Sequence, residues 1–249
     1  MLTVHTYSGT RRSHFSKVRL WSGIASLLLL QLFPVASSVA QDLHGKVCSA
    51  AVQLMLEAGE SASPSAPQVD ELRALLPTLD SQLQPAMQRL ITSMDSLFTI
   101  LRTQQPLPQQ QHEEFNNALL DTLMLLQPSP MTPSSPLADL PERLDFALVL
   151  YVSWPQIGSL RPALERSDSY LGWSVPRLAE SIGQDLLRDD WLPGDKPEQQ
   201  RLLRDAQTRW KYIAKVLYSA TTDPAPLNVK KQIERIREDL LQLRRQRGV

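Results

Sequence analysis

Apolar residues advance by threes and fours through Val69, Leu72, Leu76, Leu79, Leu83, Met87, Leu90, Met94, Leu97 and Leu101. That spacing predicts one apolar face of a long helix, or of two collinear helices, in a near-parallel bundle. Pro77 and Pro85 interrupt it. Each lacks an amide donor and crowds the preceding turn, so a kink or a break is expected there.

Shorter stripes of the same period recur along the chain. Val47, Ala51, Leu54, Met55 and Ala58 predict a helix over 42–58, with Gly59 placed to end it. Phe115, Leu119, Leu123 and Leu126 predict another over 113–126. Leu178, Ile182 and Leu186 follow Ser174-Val175-Pro176, with Ser174 in the capping position. Leu203, Ala206, Trp210, Ile213 and Leu217 follow Asp195-Lys196-Pro197-Glu198. Val229, Ile233, Ile236, Leu240 and Leu243 mark a last helix, with Arg244, Arg245 and Arg247 read as solvated cations at its end.

Residues 146–154 are almost wholly apolar and show no period, so a buried helix and a central strand compete for them. Asp139, Pro141 and Glu142 make a helix start, and no second strand is available for pairing; the segment is expected to be helical.

Between the stripes lie polar and proline-rich stretches, at 59–67, 104–111 and 127–136. The last holds Pro128, Pro130, Pro133 and Pro136, which forbid either regular element. The expected architecture is therefore all-α, a bundle of about six to seven helices forming one body or two helical subdomains. It divides into an N-terminal region over 41–127, a linker over 128–136 and an aromatic-rich region over 137–249. Trp154, Trp173, Trp191 and Trp210 all fall in the last of these.

Residues 1–40 stand apart. Arg11, Arg12, Lys17 and Arg19 precede an uncharged stretch over 20–40 that ends in Ser38-Val39-Ala40. This is the layout of a secretory leader, cleaved after Ala40. Its apolar middle, 20–33, is short for a spanning helix, which needs about 20 apolar residues. An uncleaved anchor is the alternative, with the same topology. Arg11-Arg12 lacks the aromatic register of a twin-arginine signal, and Lys46-Val47 before Cys48 does not fit lipidation. The expected location is periplasmic or secreted, by the general route.

The leader also conceals the charge. The whole chain has 26 bases and 26 acids, but residues 41–249 keep 22 bases against the same 26 acids, a net of 22 − 26 = −4. Nucleic acid is not an expected partner. The single cysteine, Cys48, excludes an internal disulfide and reads as a small buried apolar residue.

Candidate chemistry is sparse. His44 and Cys48 are four apart and share a helix face, but two ligands do not make a zinc site. Covalent haem would need a Cys-x-x-Cys-His, which the sequence lacks, and a noncovalent haem in a four-helix bundle would rest on His112 and a methionine. Gly172-Trp173-Ser174 begins like a nucleophile elbow but continues into proline, which favours a helix cap. Glu180-Ser181 resembles the glutamate-serine pair of the lytic transglycosylases, yet their glycine-rich and tyrosine-asparagine motifs are missing. Two residues carry no family, and no cofactor or metal is expected.

The sequence therefore points to an exported, noncatalytic helical protein of the cell envelope, acting through protein–protein association with unknown envelope partners. Leu83, Leu90, Met94 and Leu97 are the candidate association surface. The alternatives are a periplasmic small-ligand-binding bundle, with a pocket at Tyr170, Trp173 and Trp191, and an enzyme without a recognisable site. Membrane contact is expected only through an uncleaved leader.

Overall fold

A computed structural model describes residues 42–56, 67–103, 108–127, 136–157, 170–188, 196–219 and 226–247. Residues 1–41, where a leader and its cleavage site are expected, lie outside these residues, as do Trp191 and most of the 128–136 stretch. The described chain is helical and contains no strand: α1 (42–56), α2 (Pro67–Leu75), α3 (Leu83–Arg102), α4 (Gln109–Leu126), α5 (Leu140–Ile157), α6 (Val175–Leu186), α7 (Pro197–Ser219) and α8 (Pro226–Arg247).

The eight helices exceed the expected count because the long stripe breaks once. α2 ends at Leu75, a 3-10 turn Leu76–Thr78 takes Pro77 at its start, and α3 begins at Leu83. Asp80 holds this new start by accepting hydrogen bonds from the Gln82 and Leu83 amides at 2.9 and 2.8 Å. Pro85 needs no break, because in the first turn its missing amide would be unpaired anyway. Residues 146–154 are helical as expected, within α5. Every residue from Leu140 to Leu150 is buried, which explains the lack of apolar period.

α5, α6, α7 and α8 close a ring, in which α5 packs on α6, α6 on α7, α7 on α8 and α8 on α5. α2, α3 and α4 form a second group, α3 packing on both its neighbours. α1 is nearly enclosed, with only Asp42 and Ser49 exposed over 42–56. One apolar core runs from Leu43 to Leu243 and draws on helices from both sides of 128–136. Gly183 of α6 permits close helix approach there, since a Cβ would stand 2.9 Å from Tyr218 Oη and 3.1 Å from Trp210 Nε1 of α7.

Arginine–carboxylate pairs tie neighbouring helices. Arg73 meets Asp95 at 2.9 Å across α2 and α3, and Arg89 meets Asp121 at 3.4 Å across α3 and α4. Both are exposed pairs that add little, of order 0–1 kcal/mol. Arg143 of α5 is buried and reaches Asp185 of α6 at 2.6 Å and Ser181 Oγ at 2.6 Å. Arg244 of α8 departs from the sequence expectation of a solvated helix end. It is 4% exposed, pairs with Glu142 of α5 at 3.2 Å, and donates to the Leu137 and Ala138 carbonyls at 2.6 and 2.5 Å.

Candidate functional site

Helical spacing on α1 places His44, Gly45 and Cys48 toward α5 and α8. α5 adds Asp145, α8 adds Arg237, and the 3-10 turn Tyr170–Gly172 adds Tyr170. The result is a buried polar cluster inside an apolar core. His44 Nε2 lies 3.2 Å from Tyr170 Oη, and Nδ1 lies 3.8 Å from Cys48 Sγ and 4.0 Å from Asp145 Oδ2. Arg237 Nε donates to Asp145 Oδ2 at 2.7 Å. The Phe146 ring tilts against Tyr170, with centroids 6.0 Å apart.

Gly45 makes room for this. A Cβ there would overlap the Arg237 guanidinium, whose Cζ lies 2.7 Å from the position. The guanidinium thus lies across the backbone of α1 while bonded to α5.

Burial sets the protonation of the cluster. His44 is fully buried; desolvation, helped by the Arg237 charge, lowers its pKa to about 3. The Cys48 thiol is pushed well up by burial and then by the Asp145 charge. Asp145 rises to about 7, because desolvation outweighs both the charge and the hydrogen bond of Arg237. A cysteine–histidine nucleophile works as thiolate and imidazolium. Here both members are held in their neutral forms. A neutral imidazole with Nδ1–H toward Asp145 and Nε2 accepting from the Tyr170 hydroxyl suits the geometry.

Beside the cluster is a cleft of about 190 Å³, lined by Cys48, Ser49 and Val52 of α1, Asp145 and Leu148 of α5, and Lys230, Glu234, Arg237 and Glu238 of α8. It is small against the roughly 300–1,000 Å³ of most ligand pockets. Among the described residues, no three His, Cys, Asp or Glu side chains are grouped to hold a metal.

Set against family models, curated proteins and solved structures, the chain matches none.

The expected site residues take other places. Leu83, Leu90, Met94 and Leu97 are all buried in the shared core, at most 8% exposed. They face inward because α3 packs on both α2 and α4, so the stripe is covered within the chain. Tyr170 is buried against His44 rather than lining a pocket with Trp173, and Trp173 is covered by the Arg177 guanidinium at 4.6 Å. Trp191 lies outside the described residues.

Several minor candidates have structural partners. Ser174 occupies the N-cap of α6 with no side-chain cap bond; its carbonyl accepts from the Leu178 amide at 2.9 Å. Ser181 accepts from Arg143, and exposed Glu180 accepts from Gln184 at 3.4 Å. His112 Nε2 lies 2.8 Å from Asn116 Nδ2 on its own helix.

Sequence reasoning missed Asp145, Arg237 and Arg244. The signal was faint but present. Asp145 is a lone carboxylate entering an apolar run, and each arginine stands four residues after an apolar stripe position, Ile233 or Leu240.

Proposed function

We propose that this is an exported, noncatalytic helical protein of the cell envelope that works by association with a partner protein. The observation that carries the reading is the inward placement of the reactive groups: His44, Cys48 and Asp145 are buried together, with the thiol and imidazole neutral. A surface for contact is available on α4, where Met124 and Leu125 are 47% and 51% exposed side by side. Methionine adapts to varied partner shapes. Asn117 and Asp121 supply polar neighbours on the same exposed side.

Export and association are tested separately. Mass spectrometry of the exported protein is expected to show a chain beginning at Gln41; a Met1 start would remove the cleaved leader from the account. A photoreactive group at position 124, activated in intact envelopes, is expected to give one discrete heteromeric adduct that Leu125→Asp abolishes. Failure to obtain it, with a stable variant, removes α4 as the contact.

A second reading, a small-ligand binder, is favoured by one feature, the cleft between α1, α5 and α8 with the Asp145–Arg237 pair in its lining. Ligand screening by thermal shift tests it. A stabilising ligand whose effect disappears in Ser49→Leu, which narrows the cleft at an exposed position, would place binding there.

A further inference from the structure

The outer side of α7 is a line of cations. Arg201, Arg204, Lys211 and Lys215 follow the three-four period with Thr208 and share one side of the helix with Tyr212. All six are exposed, Tyr212 at 73%. Fourteen residues separate Arg201 from Lys215, about 21 Å along the axis. The four cations have no ion-pair partner among the described residues, whereas Arg73, Arg89, Arg143, Arg209, Arg237 and Arg244 are all paired. Glu198 and Asp205 border the line on one side, and no acid falls within it. The array is not an overflow of net charge, since residues 41–249 are acidic by four.

We propose that this face of α7 lies flat against an anionic lipid headgroup layer, a contact independent of both the leader and the α4 surface. Charge complementarity identifies the occupant. A protein interface wants a desolvated apolar centre and is poor in lysine. The α7 face offers lysines, arginines and one tyrosine, with no apolar centre. A headgroup layer asks for what is present: ammonium and guanidinium groups on flexible stems beside phosphates, with an aromatic ring at interfacial depth.

The test is co-sedimentation of the exported protein, as isolated, with phosphatidylcholine vesicles and with vesicles containing about one-third phosphatidylglycerol. The zwitterionic arm also registers any contribution from the uncharged stretch over 20–40. Binding is expected to need phosphatidylglycerol and to fall away in high salt, as screening shortens the reach of the cations. The double variant Lys211→Gln/Lys215→Gln is expected to bind about 30-fold more weakly, about fivefold per lysine. It should melt as wild type does, because both side chains are exposed. Arg89→Gln, on α3, is expected to leave binding unchanged. Equal binding to both vesicle types, or a double variant that binds like wild type, would overturn the proposal. So would lysine-dependent binding to polyglutamate or duplex DNA with the vesicles left unbound.

Discussion

Arg237 of α8 donates from Nε to Asp145 Oδ2 of α5 at 2.7 Å, and its guanidinium fills the space that a side chain at Gly45 of α1 would need. Three helices thus meet at one ion pair, and the smallest residue of the three sets its position.

Gly45→Ala is accordingly expected to destabilise the protein by displacing Arg237 from Asp145, at a cost of about 1–3 kcal/mol for a charged hydrogen bond. In an Arg237→Met background the same alanine should lose most of that penalty, while keeping its helix-propensity gain of about 0.8–1 kcal/mol over glycine. Denaturant unfolding of the four proteins in a double-mutant cycle measures this coupling. Additive effects would mean that Gly45 and Arg237 do not share the site.

The buried cluster also gives opposed pH dependences. His44 falls from 6.5 to about 3 in the folded protein, so its contribution is present above pH 6.5 and is lost as pH falls toward 3. Asp145 rises from 3.8 to about 7, so its contribution is present below 3.8 and is lost as pH rises toward 7. Between about pH 4 and 6.5 the two slopes offset each other. Relative to wild type, His44→Gln is expected to gain stability on acidification across that window, and Asp145→Asn to lose it. Urea unfolding at several pH values checks both, and parallel curves would remove the cluster as the source.

Arg244 and Glu142 form the deeper tie between α8 and α5. Arg244→Ala leaves the buried Glu142 carboxylate without this ion pair, and is expected to cost about 3–5 kcal/mol. Arg245→Ala next to it, exposed, should stay within about 0.5 kcal/mol of wild type. Thermal or urea unfolding separates the two.

The contrast between those arginines shows what the sequence could and could not reveal. The helices were legible because their periodicity is local: the α3 stripe, the α7 start at Pro197 and the α8 stripe all follow from residues three or four apart. The break between α2 and α3 was foreseen as one outcome at Pro77. The buried pairs were not legible. Asp145–Arg237 and His44–Tyr170 join residues 92 and 126 apart, and no local pattern encodes which faces will meet. The cover over the α3 stripe was hidden for the same reason, since it comes from α2 and α4.

Leu90 tests that cover. It is fully buried in the core, so Leu90→Ala is expected to cost about 2–5 kcal/mol. Met124→Ala, exposed on α4, should leave the melting temperature almost unchanged. A silent Leu90→Ala would return the stripe to the surface.

The central claim, that the Cys48 thiol and the His44 imidazole are closed inside the chain in neutral form, is most directly tested on the thiol. Cys48 is 2% exposed and is the chain's only cysteine, so alkylation of the native protein reports it alone. The rate is expected to be at least about a thousandfold below that of the unfolded chain and to track global unfolding from pH 6 to 9. Rapid native alkylation with a thiolate titrating near or below neutrality would contradict the account, and would make the His44–Cys48 pair an activated nucleophile.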